Sequence, residues 1–234
     1  MLFRSVRVRD AGELAGRAEL FVYERGFGKG SPAGFANLFR YILLAERGGW
    51  WVDTDVVCLS DAIPDYPQFV ARQDDEFINN AVLRFERRHP VMLRCLELAA
   101  EKGRSVRQGD TGPRLLTQVM RELGETQGIY DPSVCYPVDH LHALDVLRPS
   151  RLARVTALSD GSHFLHLWNQ MLTNAGVRKT CLPPRGSLLR RLVERHQIGG
   201  WDGEYDEAGV AEVVERYRRF LARTAATSAA NVGP

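Results

Sequence analysis

The stretch GGWWVDTDVVCL, residues 48–59, decides how the chain is to be read. Two carboxylates, Asp53 and Asp55, interrupt an otherwise apolar run. Read as one strand, its side chains alternate, so Asp53 and Asp55 project from the same face. Two like charges side by side in a half-buried strand are costly without a positive partner. Aspartate is depleted in strands, and an exposed edge is more often marked by lysine or threonine. Two readings follow. Either a strand end lets its carboxylates reach water, or the pair is an oxygen-ligand site for Mg²⁺ or Mn²⁺. A bare D-x-D does not separate them.

Working outward toward the N-terminus, the residues read as a helix that Gly48 ends. Ser31 is its expected N-cap and Pro32 its first helical residue. Phe35, Leu38, Phe39 and Ile42 form the apolar stripe expected to face a core. Asn37, Arg40, Tyr41 and Leu44 form a second face, with two polar groups one turn apart. Taken alone, Arg40 reads as a surface cation paired with Glu46 or Glu24. Further upstream, ELFVY (19–23) reads as a strand. GFGKGS (26–31) lacks the GxxxxGK[ST] spacing and reads as a turn rather than a phosphate cradle.

Toward the C-terminus, PQFVARQ (67–73) and NNAVLRF (79–85) read as strands, the second preceded by the acidic QDDEF. Helices are expected from Pro90 and from Pro113, each with proline in the first turn. SHFLHLWN (162–169) reads as a strand, and residues 187–197 and 206–223 as helices. TAATSAANVGP (224–234) is of low complexity and is expected to be a disordered tail. Strands alternating with helices point to an α/β fold, here one domain over residues 1–223.

Composition narrows the partners. The 234 residues are 44% hydrophobic, which is ordinary for a globular protein with a core. A net charge of +2 argues against nucleic-acid binding by charge alone. Cys58, Cys95, Cys135 and Cys181 are widely spaced, with no CxxC pair, so neither a zinc site nor a disulfide framework is expected. No apolar run is long enough to span a bilayer, and no apolar signal segment follows the opening MLFRSVRVRD. The expectation is a cytoplasmic protein with reduced thiols. The basic run RYRRFLAR (216–223) offers peripheral contact with a membrane if the acceptor is a lipid, and otherwise a solvated helix face.

The order helix, Gly-Gly turn, apolar strand, D-x-D is more specific than D-x-D itself. NLFRYILLAERGGWWVDTD (37–55) resembles the core of the DXD sugar-binding glycosyltransferases, a group that includes α1,4-galactosyltransferase and yeast α-mannosyltransferase relatives. Four further segments fall in the family's order: INNAVLRFERRHPVM (78–92), GDTGPRLLTQVM (109–120), YPVDHL (136–141) and SHFLHLWN. The resemblance runs from about Ser31 to Asn174.

The resemblance implies a GT-A-like nucleotide-sugar-binding fold, a mixed sheet flanked by helices. It also implies sugar transfer with retention, from a UDP-sugar to a carbohydrate or glycolipid acceptor. Asp55 is then a ligand of the cation, Mn²⁺ or Mg²⁺, that bridges the donor diphosphate. Asp53 holds ribose or sugar hydroxyls and supports the metal shell. Arg40 lies near the donor sugar and phosphates, where a guanidinium stabilises the leaving diphosphate. His166 is a third metal ligand or a hydrogen-bonded core histidine, and His163 is the weaker of the two histidines for ligation. Asn80 and Asp110 match polar positions near the reacting sugar, with Asn79 and Thr111 as their alternatives and turn capping as the plain reading of all four. Trp50 and Trp51 stack on a base or sugar, or pack in the core.

Two departures stand out. Asn37 occupies a position where many relatives carry an aspartate that binds donor-sugar hydroxyls. The strand and tryptophan segment that hold the base in relatives have no counterpart before Met1, so the expected fold is N-terminally incomplete. Two other functions remain open: a degenerate nucleotide-sugar-binding protein, and a phosphohydrolase of the haloacid dehalogenase type, since VDTDVV also fits that superfamily's nucleophile strand. Lys102 and GDTGP match that superfamily's later motifs poorly.

Overall fold

The computed structural model describes residues 7–16, 21–23, 30–102 and 109–230. Of the expected strand 19–23, Glu19 and Leu20 lie outside these, and Phe21–Tyr23 are not in a strand. Residues 26–29 of the glycine-rich turn also lie outside. The first elements are α1 (Gly12–Ala15), α2 (Ala33–Arg47), β1 (Gly49–Val52), β2 (Val56–Cys58), β3 (Phe69–Arg72) and β4 (Ile78–Phe85). Next come α3 (Pro90–Lys102), α4 (Pro113–Glu122), β5 (Ile129–Tyr130), α5 (Leu152–Leu158) and β6 (Phe164–His166). The last are α6 (Asn169–Asn174), β7 (Cys181–Leu182), α7 (Leu188–Arg195), β8 (Gly203–Glu204) and α8 (Glu207–Ala230). Contacts divide the chain into two compact units, Met1–Thr54 with Ser60–Cys135, and Asp55–Leu59 with Tyr136–Pro234.

The first unit is a four-stranded sheet in the order β1-β4-β3-β5. β4 runs antiparallel to both β1 and β3, and β5 lies parallel to β3, so the sheet is mixed. Its core combines Tyr41 and Leu44 of α2, Leu83 and Phe85 of β4, Val91, Met92 and Cys95 of α3, and Leu115, Leu116 and Val119 of α4. This is the α/β arrangement of a mixed sheet with helices against it that the sequence predicts. α3 and α4 begin at Pro90 and Pro113 as expected, because proline's fixed φ suits the first turn and its missing N–H has no partner there.

α2 differs in detail. It starts at Ala33, after Pro32, and Ser31 Oγ accepts from the Ala33 N–H at 3.2 Å. Half of the predicted stripe is buried, Phe35 and Leu38, while Phe39 and Ile42 are only half-buried; the deepest side chains are Tyr41 and Leu44 of the second face. Gly34 lets the helix start lie under residues 21–23, since a Cβ there would stand 2.8 Å from Tyr23 Cε1. At the other end Gly48 takes φ 65°, and its N–H closes the helix on Leu44 O at 2.9 Å.

The GGWWVDTDVVCL run is not one strand. β1 ends at Val52, Asp53-Thr54-Asp55 leave the ladder, and β2 pairs instead with β6. Aspartate is a poor strand residue and a good turn residue, so the apolar run breaks at these positions. The premise that alternation alone puts both carboxylates on one strand face is therefore replaced by a turn.

The second unit contains the antiparallel pair β2-β6 and the parallel pair β7-β8. Its core gathers Val138, Leu144 and Leu147 around Val155, Leu165, Leu172, Leu192, Val213 and Tyr217. A 3-10 helix over His140–Leu147, capped by Asp139, has no clear signal in the sequence. α7 begins where predicted, with Ser187 Oγ accepting from Arg190 N at 3.2 Å. The SHFLHLWN strand is shorter than expected and stops at His166. α8 continues to Ala230, past position 224 where a tail was expected, consistent with the high helix propensity of its alanines.

Candidate active site

In the first unit the polar groups of α2 converge on the end of β1. The ladder with β4 carries one residue past β1, since Asp53 N–H donates to Ala81 O at 2.8 Å. This places the Asp53 carboxylate beside the buried face of α2. Arg40, only 3% exposed, donates through Nη2 to Asp53 Oδ1 at 2.6 Å and through Nη1 to Asn37 Oδ1 at 2.7 Å. Trp51 Nε1–H donates to the same Asp53 oxygen, and the Trp51 ring lies under the guanidinium, 4.9 Å from ring centroid to Cζ. Arg40 Nε is buried and has no partner among the described residues. Arg40 thus pairs with Asp53 rather than with Glu46; Glu24 lies outside the described residues.

Asn37 is the hub of this network. Its Oδ1 also accepts from Asn80 Nδ2 at 3.1 Å, and its Nδ2 faces Thr111 Oγ1 at 3.4 Å. Tyr41 hydroxyl donates to Thr111 O at 2.8 Å, tying the segment before α4 to α2, and burial pushes the Tyr41 phenol well above its usual range. Neighbouring residues on β4 face opposite ways. Asn80 therefore joins Asn37, while Asn79 is occupied with Gln73 Oε1 at 2.8 Å and with the N–H of Ala81 at 2.7 Å. Thr111 belongs to the network. Asp110, half-buried in the same turn, raises the Tyr23 phenol after burial itself does.

In the second unit, the β2-β6 pairing places Val56 opposite His166, and Leu167 N–H donates to Asp55 O at 2.8 Å. His166, 8% exposed, brings Nε2 to 3.2 Å from Asp55 Oδ2, which also accepts the Asn169 N–H at 2.9 Å. Burial alone raises the Asp55 carboxyl. The His166 hydrogen bond and charge, with the Asn169 N–H, outweigh it and hold the group below its ordinary value. His166 Nδ1 is buried without a partner among the described residues. The Trp168 ring lies 4.2 Å from the imidazole, and its Nε1–H donates to Val138 O at 2.7 Å. Trp168 has φ 52°, a left-handed conformation unusual for a bulky residue, which turns the chain from β6 into α6 and directs Asn169 N–H at Asp55. His163 contributes its carbonyl to Leu59 N–H at 2.9 Å.

Three contributions escaped the sequence. Trp51 acts as a hydrogen-bond donor to Asp53, not only as a packing or stacking ring. Trp50 is the packing tryptophan, within an aromatic group with Tyr66 and Phe69. Trp168 and the Asn169 N–H fix Asp55, and a backbone donor leaves no mark in a sequence pattern.

Residues 84–196 match the alpha 1,4-glycosyltransferase conserved region. Over this region the chain is similar to the α1,4-glycosyltransferases. Among curated proteins it is similar to human alpha-1,4-N-acetylglucosaminyltransferase, 28% identical over 170 residues, covering 67% of this chain and 48% of that protein. It is also similar to human lactosylceramide 4-alpha-galactosyltransferase, 28% identical over 145 residues, covering 56% of this chain and 40% of that protein. The mouse lactosylceramide 4-alpha-galactosyltransferase is 25% identical over 142 residues, covering 56% of this chain and 39% of that protein. The chain thus spans about half the length of these family members, or less. No solved structure matches it. These similarities are to glycosyltransferases, and the mixed sheet with its helices is consistent with a GT-A-like fold. No helix among the described residues is long and apolar enough to cross a membrane.

Proposed function

We propose that the protein is a retaining glycosyltransferase that uses a nucleotide-sugar donor, a UDP-sugar, a carbohydrate or glycolipid acceptor, and Mn²⁺ or Mg²⁺. The observation that carries this reading is the buried Arg40, held by Asp53, Asn37 and Trp51 in a chain with this family's conserved region. A buried cation with an unused Nε–H is poised for an anionic or hydroxylated ligand.

The donor set suits a divalent cation. Adjacent ligands on an octahedral ion with bonds near 2.1 Å stand about 3.0 Å apart, and Asp55 Oδ2 and His166 Nε2 are 3.2 Å apart. Carboxylate with imidazole favours Mn²⁺ over Mg²⁺. Asp55 and His166 would hold the ion. When bound, the ion would neutralise charge on the donor diphosphate.

The chain's own groups do the rest. Arg40 is pre-aimed by two hydrogen bonds and a ring, so it binds a phosphate oxygen without reorganising as charge develops there. Asp53, Asn37 and Asn80 orient donor-sugar hydroxyls. The amide at Asn37 accepts from Arg40 and Asn80 as a carboxylate would, but adds no charge, so donor choice shifts toward sugars needing a weaker acceptor there. Asp110 serves the reacting sugar from the turn that Thr111 anchors.

Incubation with Mn²⁺ and a panel of nucleotide sugars, with nucleotide release followed by mass spectrometry, tests the reading. Slow hydrolysis of one donor, abolished by chelation and by Arg40→Ala, is the expected result. Donor turnover that survives both changes overturns it.

A further inference from the structure

In the first unit, away from Arg40, a groove of about 760 Å³ lies between the end of α2 and the start of α3. Arg47, Arg87 and Arg88 line it together with Glu46, Leu93 and Leu96. The three arginines are exposed, and among the described residues none has a salt-bridge partner. This contrasts with Arg94 on α3, which is neutralised by Glu97 at 2.7 Å and Glu122 at 3.0 Å. Glu46 offsets one of the three charges. Leu93 is 40% exposed, and Leu96 lies one turn along the same helix.

The backbone that carries these arginines is held firmly. Arg88 N–H donates to Ala45 O at 2.9 Å, satisfying one of the last carbonyls of α2. A Cβ at Gly48 would stand 2.5 Å from Arg87 N, so the turn after β4 lies directly on the helix end. Arg88 itself takes φ 62°, a conformation that a non-glycine residue adopts only where its surroundings hold it there.

We propose that this groove docks the protein on an anionic lipid surface, with the three guanidiniums on lipid headgroups and Leu93 at the acyl boundary. A site for a soluble phosphate would bury its donors. Here the cations are exposed and flank an exposed leucine, which suits a planar, charged and partly apolar interface. The overall charge of +2 makes a nucleic-acid partner a poor alternative. The proposal does not depend on the donor-site reading, because lipid binding is measured without turnover.

Cosedimentation with phosphatidylserine–phosphatidylcholine vesicles tests it, with pure phosphatidylcholine vesicles as control. Each arginine near an anionic surface strengthens partitioning about fivefold. Arg87→Gln/Arg88→Gln should therefore lower partitioning about twenty-five-fold, and binding of the unaltered protein should fall steeply with salt. Arg47→Gln alone should act in the same direction, which keeps the test decisive if the double variant folds poorly. Arg218→Gln/Arg219→Gln, on the basic run of α8, should bind as the unaltered protein does. The proposal is overturned by equal binding to uncharged vesicles, by no binding to either kind, or by an arginine-groove variant that binds normally. Loss of binding in the α8 variant overturns it too, as does displacement by free glycerophosphate, which would mark a discrete phosphate site.

Discussion

Arg40 Nη2 and Asp53 Oδ1 meet at 2.6 Å, joining the buried face of α2 to the residue that follows β1. The Arg40 side chain is 4% exposed and that of Asp53 26%, so the arginine is the partner that depends on the bond. A guanidinium this deep is tolerated because Asp53, Asn37 and the Trp51 ring surround it. The same arrangement leaves it aimed and ready for a ligand.

Removing Asp53 strands a buried cation. Asp53→Ala is expected to lower stability by about 3 kcal/mol, read from urea denaturation. Arg40→Lys keeps the charge but loses the planar fork, so it should reduce turnover more than donor affinity. An unchanged rate with Arg40→Lys would reduce Arg40 to a structural cation.

Trp51→Phe removes the N–H bond to Asp53 while keeping an aromatic face under Arg40. The expected cost is about 1 kcal/mol in unfolding experiments. Trp51→Leu, which also loses the ring, should cost more. Equal losses in the two variants would show that the ring contributes nothing beyond its volume.

The Asp55 carboxyl titrates below its ordinary value in the folded protein. A group of this kind contributes stability above its unfolded pKa, and that contribution is lost as pH falls through the folded pKa. The urea midpoint should therefore drop as pH is lowered below about 4. Asp55→Asn, which has nothing to protonate, should show a shallower drop. His166→Gln should also flatten the curve, because it removes the hydrogen bond and charge that oppose desolvation.

Asp55→Ala should abolish Mn²⁺-dependent donor binding in calorimetry while far-ultraviolet circular dichroism stays unchanged. His166→Ala should weaken Mn²⁺ binding on the order of 10- to 100-fold or more, at least the range for the loss of a supporting group at a metal site. Unaltered Mn²⁺ affinity in the Asp55 variant would remove the metal from the proposed function.

Trp168 carries a left-handed backbone as well as a buried ring. Trp168→Ala and Trp168→Gly lose the same packing, but only glycine adopts this φ without cost. The glycine variant should be the more stable of the two by about 1 kcal/mol. The reverse order in thermal melts would show that the turn relaxes once the ring is gone.

Much of this was legible in residue order. Proline at the start of α3 and α4, Gly48 at the end of α2 and the alternation of apolar segments with turns act through a few neighbouring residues. The elements they mark appear where expected. The choice of Asp53, Asp55 and Arg40 as candidate site residues also rests on local spacing, read with the order of five segments along the chain. Other features depend on partners remote in sequence. Which residues of α2 are most deeply buried is decided by α3, α4 and β4: of the stripe Phe35, Leu38, Phe39 and Ile42 that periodicity marks, packing buries the first two, and it buries Tyr41 and Leu44 more deeply still. The break of the apolar run at Asp53-Thr54-Asp55 becomes visible only when β1 pairs with β4 and β2 with β6. His166 reaches Asp55 through that second pairing, across a separation in sequence that no local pattern encodes. The sequence alone determined which chemical groups are present, where α2 ends and where α3, α4 and α7 begin, because those choices are local. Only the tertiary structure decided which of these groups meet, because strand pairing and burial are set by contacts between distant segments.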